Sequence, residues 1–148
     1  MHQTRPRTKK RAALFLVLTA VVLAALVIAH SSGGVLSMHY NVGITDGRVD
    51  YLAANGWEAD PSTETAQDVV LPRTLEGVFA DYNSLQLQQG FDLSPYAGLS
   101  CTVYTYRLTN YASDDNVCAT LYIYKNRVIA GDVHSTALDG FMHGILRG

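Results

Sequence analysis

Four residues near the C-terminus have the types and spacing that come nearest to a reactive site: Asp132, His134, Asp139 and His143. Two imidazoles plus a carboxylate offer three ligands for an open metal site, or an acid–base pair. On a strand, Asp132 and His134 share a face because side chains two apart point the same way. Asp139 and His143 lie beyond the intervening Ser135–Leu138, and no H-E-x-x-H or paired-cysteine spacing backs a metal. Solvated carboxylates and a hydrogen-bonded turn histidine are therefore the expectation, and no metal or cofactor is assigned. A thiol nucleophile, Cys101 or Cys118 with His134, would need a convergence that the spacing does not indicate. Ser135 lacks the glycine context of a nucleophile elbow. Tyrosine is the other conspicuous residue. Tyr104, Tyr106, Tyr122 and Tyr124 crowd one stretch, and by alternation they can line one face as a binding surface or pack beneath a helix.

The elements that position these residues follow from periodicity. Ser100 to Leu108, Val117 to Tyr124 and Arg127 to Val133 read as three strands of a meander. A loop centred near Ser113 joins the first two, and Lys125-Asn126 is a two-residue hairpin connection. This register sets Cys101 against Lys125 and Cys118 against Leu108, so the thiols stand on the order of 20 Å apart and stay unpaired. Leu75, Val78, Phe79, Tyr82 and Leu85 form an apolar stripe on a helix of about Leu75–Gln89, capped by Thr74 and ended by Gly90. Glu76, Asp81, Asn83 and Gln88 fall on its opposite face. An earlier short helix spans 46–55, with a cap from Thr45-Asp46-Gly47, a left-handed end at Asn55-Gly56, and Trp57 folding back into the core. Gln67 to Leu71 is a further strand, and the tail Ala137–Leu146 packs on the sheet or ends in an irregular turn. The expected fold is α+β, a two-layer domain of two helices packed on an antiparallel sheet of three to five strands.

Ahead of this domain stands the run from Ala12 to Ala29, apolar except for Thr19 and preceded by Arg5, Arg7, Lys9, Lys10 and Arg11. As a helix it spans roughly 27 Å, close to the hydrocarbon thickness of a bilayer. The basic flank sets the N-terminus in the cytoplasm. The expected organisation is a basic cytoplasmic tail (1–11), a transmembrane signal anchor (12–30), a Ser/Gly tether leading to the domain (31–45) and an extracytoplasmic domain (46–148). A signal peptide cut after Ser31 is the alternative, and would give a secreted protein. Beyond Ser31 six Lys/Arg face thirteen Asp/Glu, a formal charge of −7. Such a surface gives nucleic-acid binding no electrostatic footing. The expected partners are the bilayer, through residues 12–29, and an envelope protein. The expected role is non-catalytic binding; the alternative is a small metal-assisted hydrolase using the C-terminal Asp/His cluster.

Several stretches carry a family resemblance. They are the helix segment Tyr82-Asn83-Ser84-Leu85-Gln86, the loop GFDLSPY (90–96), the strand YTYRLTNY (104–111) and the closing ALDGFMHG (137–144). Together they resemble a bacterial domain-of-unknown-function family (family 4830), over about Leu71 to Gly144, with Gly56-Trp57 also fitting. The resemblance implies a membrane-anchored or exported protein, seen chiefly in Gram-positive bacteria. It implies no activity and no catalytic residues, because the family has none assigned.

Overall fold

The computed structural model describes residues 39–112 and 116–146. The run 12–29 and the turn at Ser113–Asp115 lie outside the described residues. Among the described residues no helix is long and apolar enough to cross a membrane. From Tyr40 onward the order is α1 (Thr45–Ala54), β1 (Thr65–Val70), α2 (Val78–Gln88), β2 (Ser100–Arg107), β3 (Val117–Tyr124), β4 (Arg127–Ser135) and β5 (Met142–Gly144). The strands pair in sequence order β1-β2-β3-β4-β5, antiparallel throughout. This is the expected α+β fold, two helices on an antiparallel sheet, with the tail supplying the fifth strand.

Both helices end as glycine chemistry dictates. Gly56 and Gly90 each sit at φ 83°, the left-handed conformation that lacks a Cβ penalty. Trp57 N–H then donates to Leu52 O and Phe91 N–H to Gln86 O, closing the last turns. The starts differ from expectation. Ile44 is the N-cap of α1 and, having no polar side-chain atom, gives no side-chain cap; the Thr45 hydroxyl donates to Glu64 instead. α2 starts at Val78 behind Gly77, whose φ of 56° breaks the chain, so Leu75 lies outside the helix and Thr74 does not cap it. The Lys125-Asn126 connection has positive φ at both residues (46° and 59°), the primed turn that matches strand twist.

The sheet is covered on both faces rather than one. Leu52 of α1 joins Trp57, Tyr106, Ala119, Leu121, Ile123, Val133 and Ile145 in one core. Tyr82 of α2 packs with Leu71, Leu93, Cys101, Ala130, Tyr122 and Tyr124 in the other. Alternation along β3 divides the two sets, Leu121 and Ile123 to one side, Tyr122 and Tyr124 to the other. Trp57 is in the core as expected, its indole N–H donating to Ile145 O at 2.6 Å.

Under α1 lies a buried cation. Arg48 is 3% exposed; its guanidinium donates to Tyr106 Oη (2.7 Å), Val42 O (2.9 Å) and Glu64 Oε2 (2.9 Å), and lies 3.6 Å over the Tyr104 ring. Tyr106 also donates to Glu64. Burial alone would lift the Glu64 carboxyl, but the hydrogen bonds from Tyr106, Arg48 and Thr45 hold it below the usual carboxylate range. Both cysteines are unpaired, Cys101 buried and Cys118 half-buried.

Removing one partner of a buried ion pair strands the other. Arg48→Ala is expected to lower the urea unfolding free energy of the full chain by about 3 kcal/mol. Arg107→Ala, which breaks an exposed pair with Asp60, should lower it by less than about 1 kcal/mol. Equal losses in the two variants would show that the Arg48 network is not a structural element.

Candidate functional site

The face of α2 that meets the sheet is only in part the apolar stripe expected of it: Tyr82 packs on the sheet, but amides lie beside it. Asn83 and Gln86 are its buried residues, while Val78 is 81% and Phe79 41% exposed. The reason is the sheet edge beneath. At Gly131 the β4 backbone has run past its pairing with β5 and is bound by amides instead: Gly131 N–H donates to Gln86 Oε1 (3.0 Å), and Gln89 Nε2 donates to Gly131 O (3.0 Å). The missing Gly131 side chain lies toward the other core, where an added Cβ would come within 3.1 Å of Thr120 O and the Ile145 side chain. Gln89 Oε1 in turn accepts from Ile145 N–H at 2.5 Å. Asn83 Oδ1 accepts from Leu93 N–H and fixes the following loop.

Amide docking turns the apolar edge of α2 outward, and a cleft of 600 Å³ opens between that edge and the sheet. Val78, Phe79 and Leu85 of α2 and Met142 of β5 form its walls. Thr120, Tyr122, Asp132 and His134 line it from the sheet. Asp132 is 3% exposed; its Oδ2 accepts from Tyr82 Oη at 2.6 Å, and its Oδ1 lies 2.8 Å from His134 Nδ1. The Asp132 hydrogen bond raises the His134 pKa above the ordinary imidazole value, outweighing the opposing effect of burial. Burial, reinforced by the Asp132 charge, pushes the Tyr82 hydroxyl far up, so it remains a protonated donor.

Of the four C-terminal candidates, the structure therefore brings together Asp132 and His134 and separates the rest. His143 stands opposite Val133 in the β4–β5 ladder, which sends its ring to the other sheet face. There it stacks on Phe141 (5.6 Å) and lies beside Trp57 and Tyr111. Its Nδ1 lies 2.8 Å from Gly144 O and its Nε2 3.2 Å from Tyr111 Oη, so Nδ1 donates and Nε2 accepts. Asp139 is exposed in the turn before β5. Among the described residues no three His, Cys, Asp or Glu come close enough to hold a metal.

The four tyrosines do not form one surface. Tyr104 pairs with Leu121 and Tyr122 with Val103, a register one residue from the expected one, so the two pairs point to opposite faces. Tyr106 is wholly buried beside Arg48; Tyr122 packs on Tyr82, and Tyr124 on Tyr96. The same shift sets Cys118 opposite Arg107. On its other side Cys118 faces His134, a juxtaposition the spacing did not indicate. It makes a poor nucleophile: burial pushes its thiol up, against the pull of Arg107.

The model of the family described as "Domain of unknown function (DUF4830)" matches residues 51–133. The chain belongs to this family. The DUF4830 match takes in Tyr82, Gln86, Gln89, Gly131 and Asp132, the residues that dock α2 and floor the cleft, and ends one position before His134. No curated protein and no solved structure matches the chain. Sequence reasoning missed Gln86, Gln89 and Gly131 of this DUF4830 domain. The signal available was three amides at Asn83, Gln86 and Gln89, each three residues apart and so on one helix face.

The His134 ring is expected to titrate above the ordinary value of about 6.5, and Asp132→Asn should bring it down, read from imidazole carbon shifts by NMR. Because the folded value is raised, the contact stabilises the protein fully below about pH 6 and the contribution fades as pH rises through the folded pKa. The stability difference between wild type and His134→Gln should accordingly be larger at about pH 5 than at about pH 8.5. A difference that grows with pH would contradict the Asp132–His134 geometry.

Proposed function

We propose that the chain is a single-pass, membrane-anchored binding module of a bacterial envelope. In this reading residues 12–29 lie in the bilayer, the acidic α+β domain stands outside the cell, and its role is non-catalytic. The observation that carries it is the cleft: Val78, Phe79 and Met142, all exposed, surround a buried carboxylate. Exposed apolar groups gathered around a few convergent polar atoms are the ordinary make-up of a ligand site. The basic flank and apolar run at the N-terminus support the membrane placement. The alternative, a metal-assisted hydrolase on Asp132, His134, Asp139 and His143, finds less support because His143 lies on the other face of the sheet.

A photo-crosslinking phenylalanine at position 79 of the full chain, activated in intact cells, is expected to give a discrete adduct that the same residue at position 138 does not. Leu138 is the control because it is fully exposed and does not line the cleft. Protease added to spheroplasts should also digest the domain. Identical patterns from the two positions would remove the cleft as a binding site, and a domain protected until lysis would remove the extracytoplasmic placement.

A further inference from the structure

We infer that the cleft takes a small apolar amine, with its hydrocarbon body against Val78, Phe79, Leu85 and Met142 and its ammonium head against the Asp132 carboxylate. The inference rests on the binding role proposed for the cleft and deepens it by naming the ligand's chemistry.

Charge is the first argument. Two carboxylates, Asp81 and Asp132, line the cleft, and among the described residues no Lys or Arg does. An anionic head would meet both carboxylates inside a region of formal charge −7. A cation is attracted by them. The second argument is aromatic. Phe79, Tyr82 and Tyr122 all line the space, and the Tyr82 and Tyr122 rings stand 5.5 Å apart at 44°. Ring faces beside a carboxylate favour an ammonium through the ring quadrupole. The third argument is size: 600 Å³ falls within the roughly 300–1,000 Å³ of small-molecule sites.

The base His134 gives the site its pH response. The groups around it are Asp132 on its own strand, Cys118 and Thr120 across the ladder on β3, Arg107 one strand further, and Asp81 and Tyr82 on α2. Burial keeps the Cys118 thiol and the Tyr82 hydroxyl protonated through the neutral range. His134, its pKa raised by the Asp132 hydrogen bond, is the group whose charge changes between about pH 5 and pH 8.5. A charged imidazole neutralises Asp132 and repels an incoming ammonium, so the ligand and the His134 proton compete. A primary alkylamine, like lysine with its pKa of about 10.4, remains cationic across that window.

The test uses the full chain with 13C-methyl methionine. Its three methionines are Met1, Met38 and Met142, so the Met142 methyl reports the cleft and the other two report non-specific effects. The probes are n-hexylammonium, 1-hexanol and hexanoate. Hexylammonium alone is expected to shift Met142 saturably, with about tenfold weaker apparent affinity at about pH 5 than at about pH 8.5. His134→Gln should flatten that dependence, and Asp132→Asn should weaken binding at least about tenfold. The His134 variant decides the matter should the Asp132 variant fail to fold. Hexanol or hexanoate binding as tightly as hexylammonium overturns the amine assignment and leaves the cleft standing. No Met142 response to any of the three overturns the assignment and the binding role together.

Discussion

Two glutamine side chains hold the cleft side of this domain in place by standing in for a strand. β5 pairs with β4 only as far as Asp132, opposite Gly144. At the next position, Gly131, both main-chain groups are met by α2 and its C-cap: Gln86 Oε1 accepts from the N–H and Gln89 Nε2 donates to the carbonyl. A buried peptide group left unpaired costs about 1–3 kcal/mol, so the sheet needs these amides as much as the helix needs the sheet. The contact tolerates little else. An added Cβ on Gly144 would lie 2.6 Å from Gln89 Cδ, and one on Gly131 would press on Thr120 O. The arrangement also accepts a cost of its own, since Gln86 Nε2 is buried without a partner among the described residues.

Everything at the cleft follows from that docking. Because the amide face of α2 is turned inward, Val78 and Phe79 on its apolar edge are left exposed among the described residues. Tyr82, one turn before Gln86, is thereby set over Asp132, whose two oxygens are shared between Tyr82 and His134. On the opposite face the requirement is met differently. Arg48 and Glu64 satisfy one another and Tyr106 beneath α1, and that core is closed by Trp57 and Ile145. One face of the sheet is thus sealed around an ion pair and the other is left open around a carboxylate.

The sequence disclosed the elements better than their facing. Strand alternation, the Lys125-Asn126 turn, the glycine ends at Gly56 and Gly90 and the burial of Trp57 were all legible, because each rests on local chemistry. Two errors came from non-local choices. The β2–β3 register was one residue off, and a one-residue slip turns every side chain to the other face, which divided the tyrosines between two cores. The orientation of α2 was misread because an apolar stripe is ordinarily buried, whereas here Asn83 and Gln86 are inside. What favours an amide face is the β4 main chain at Gly131, left over where pairing with β5 stops, and an edge forty-odd residues downstream gives no sign of that in the helix itself. The Asp132–His134 pair, two apart on one strand, was legible; the loss of His143 from it turned on β5, whose pairing places that ring on the far side.

Amide hydrogen exchange at Gly131, measured by NMR on the full chain, tests the central claim most directly. With Gln86 acting as the missing strand, the Gly131 N–H should exchange as slowly as the Leu121 N–H of β3, and Gln86→Leu should speed it by at least about tenfold without altering Leu121. A Gly131 amide that exchanges as fast as a loop in the wild type, or one indifferent to loss of the Gln86 amide, would contradict the account.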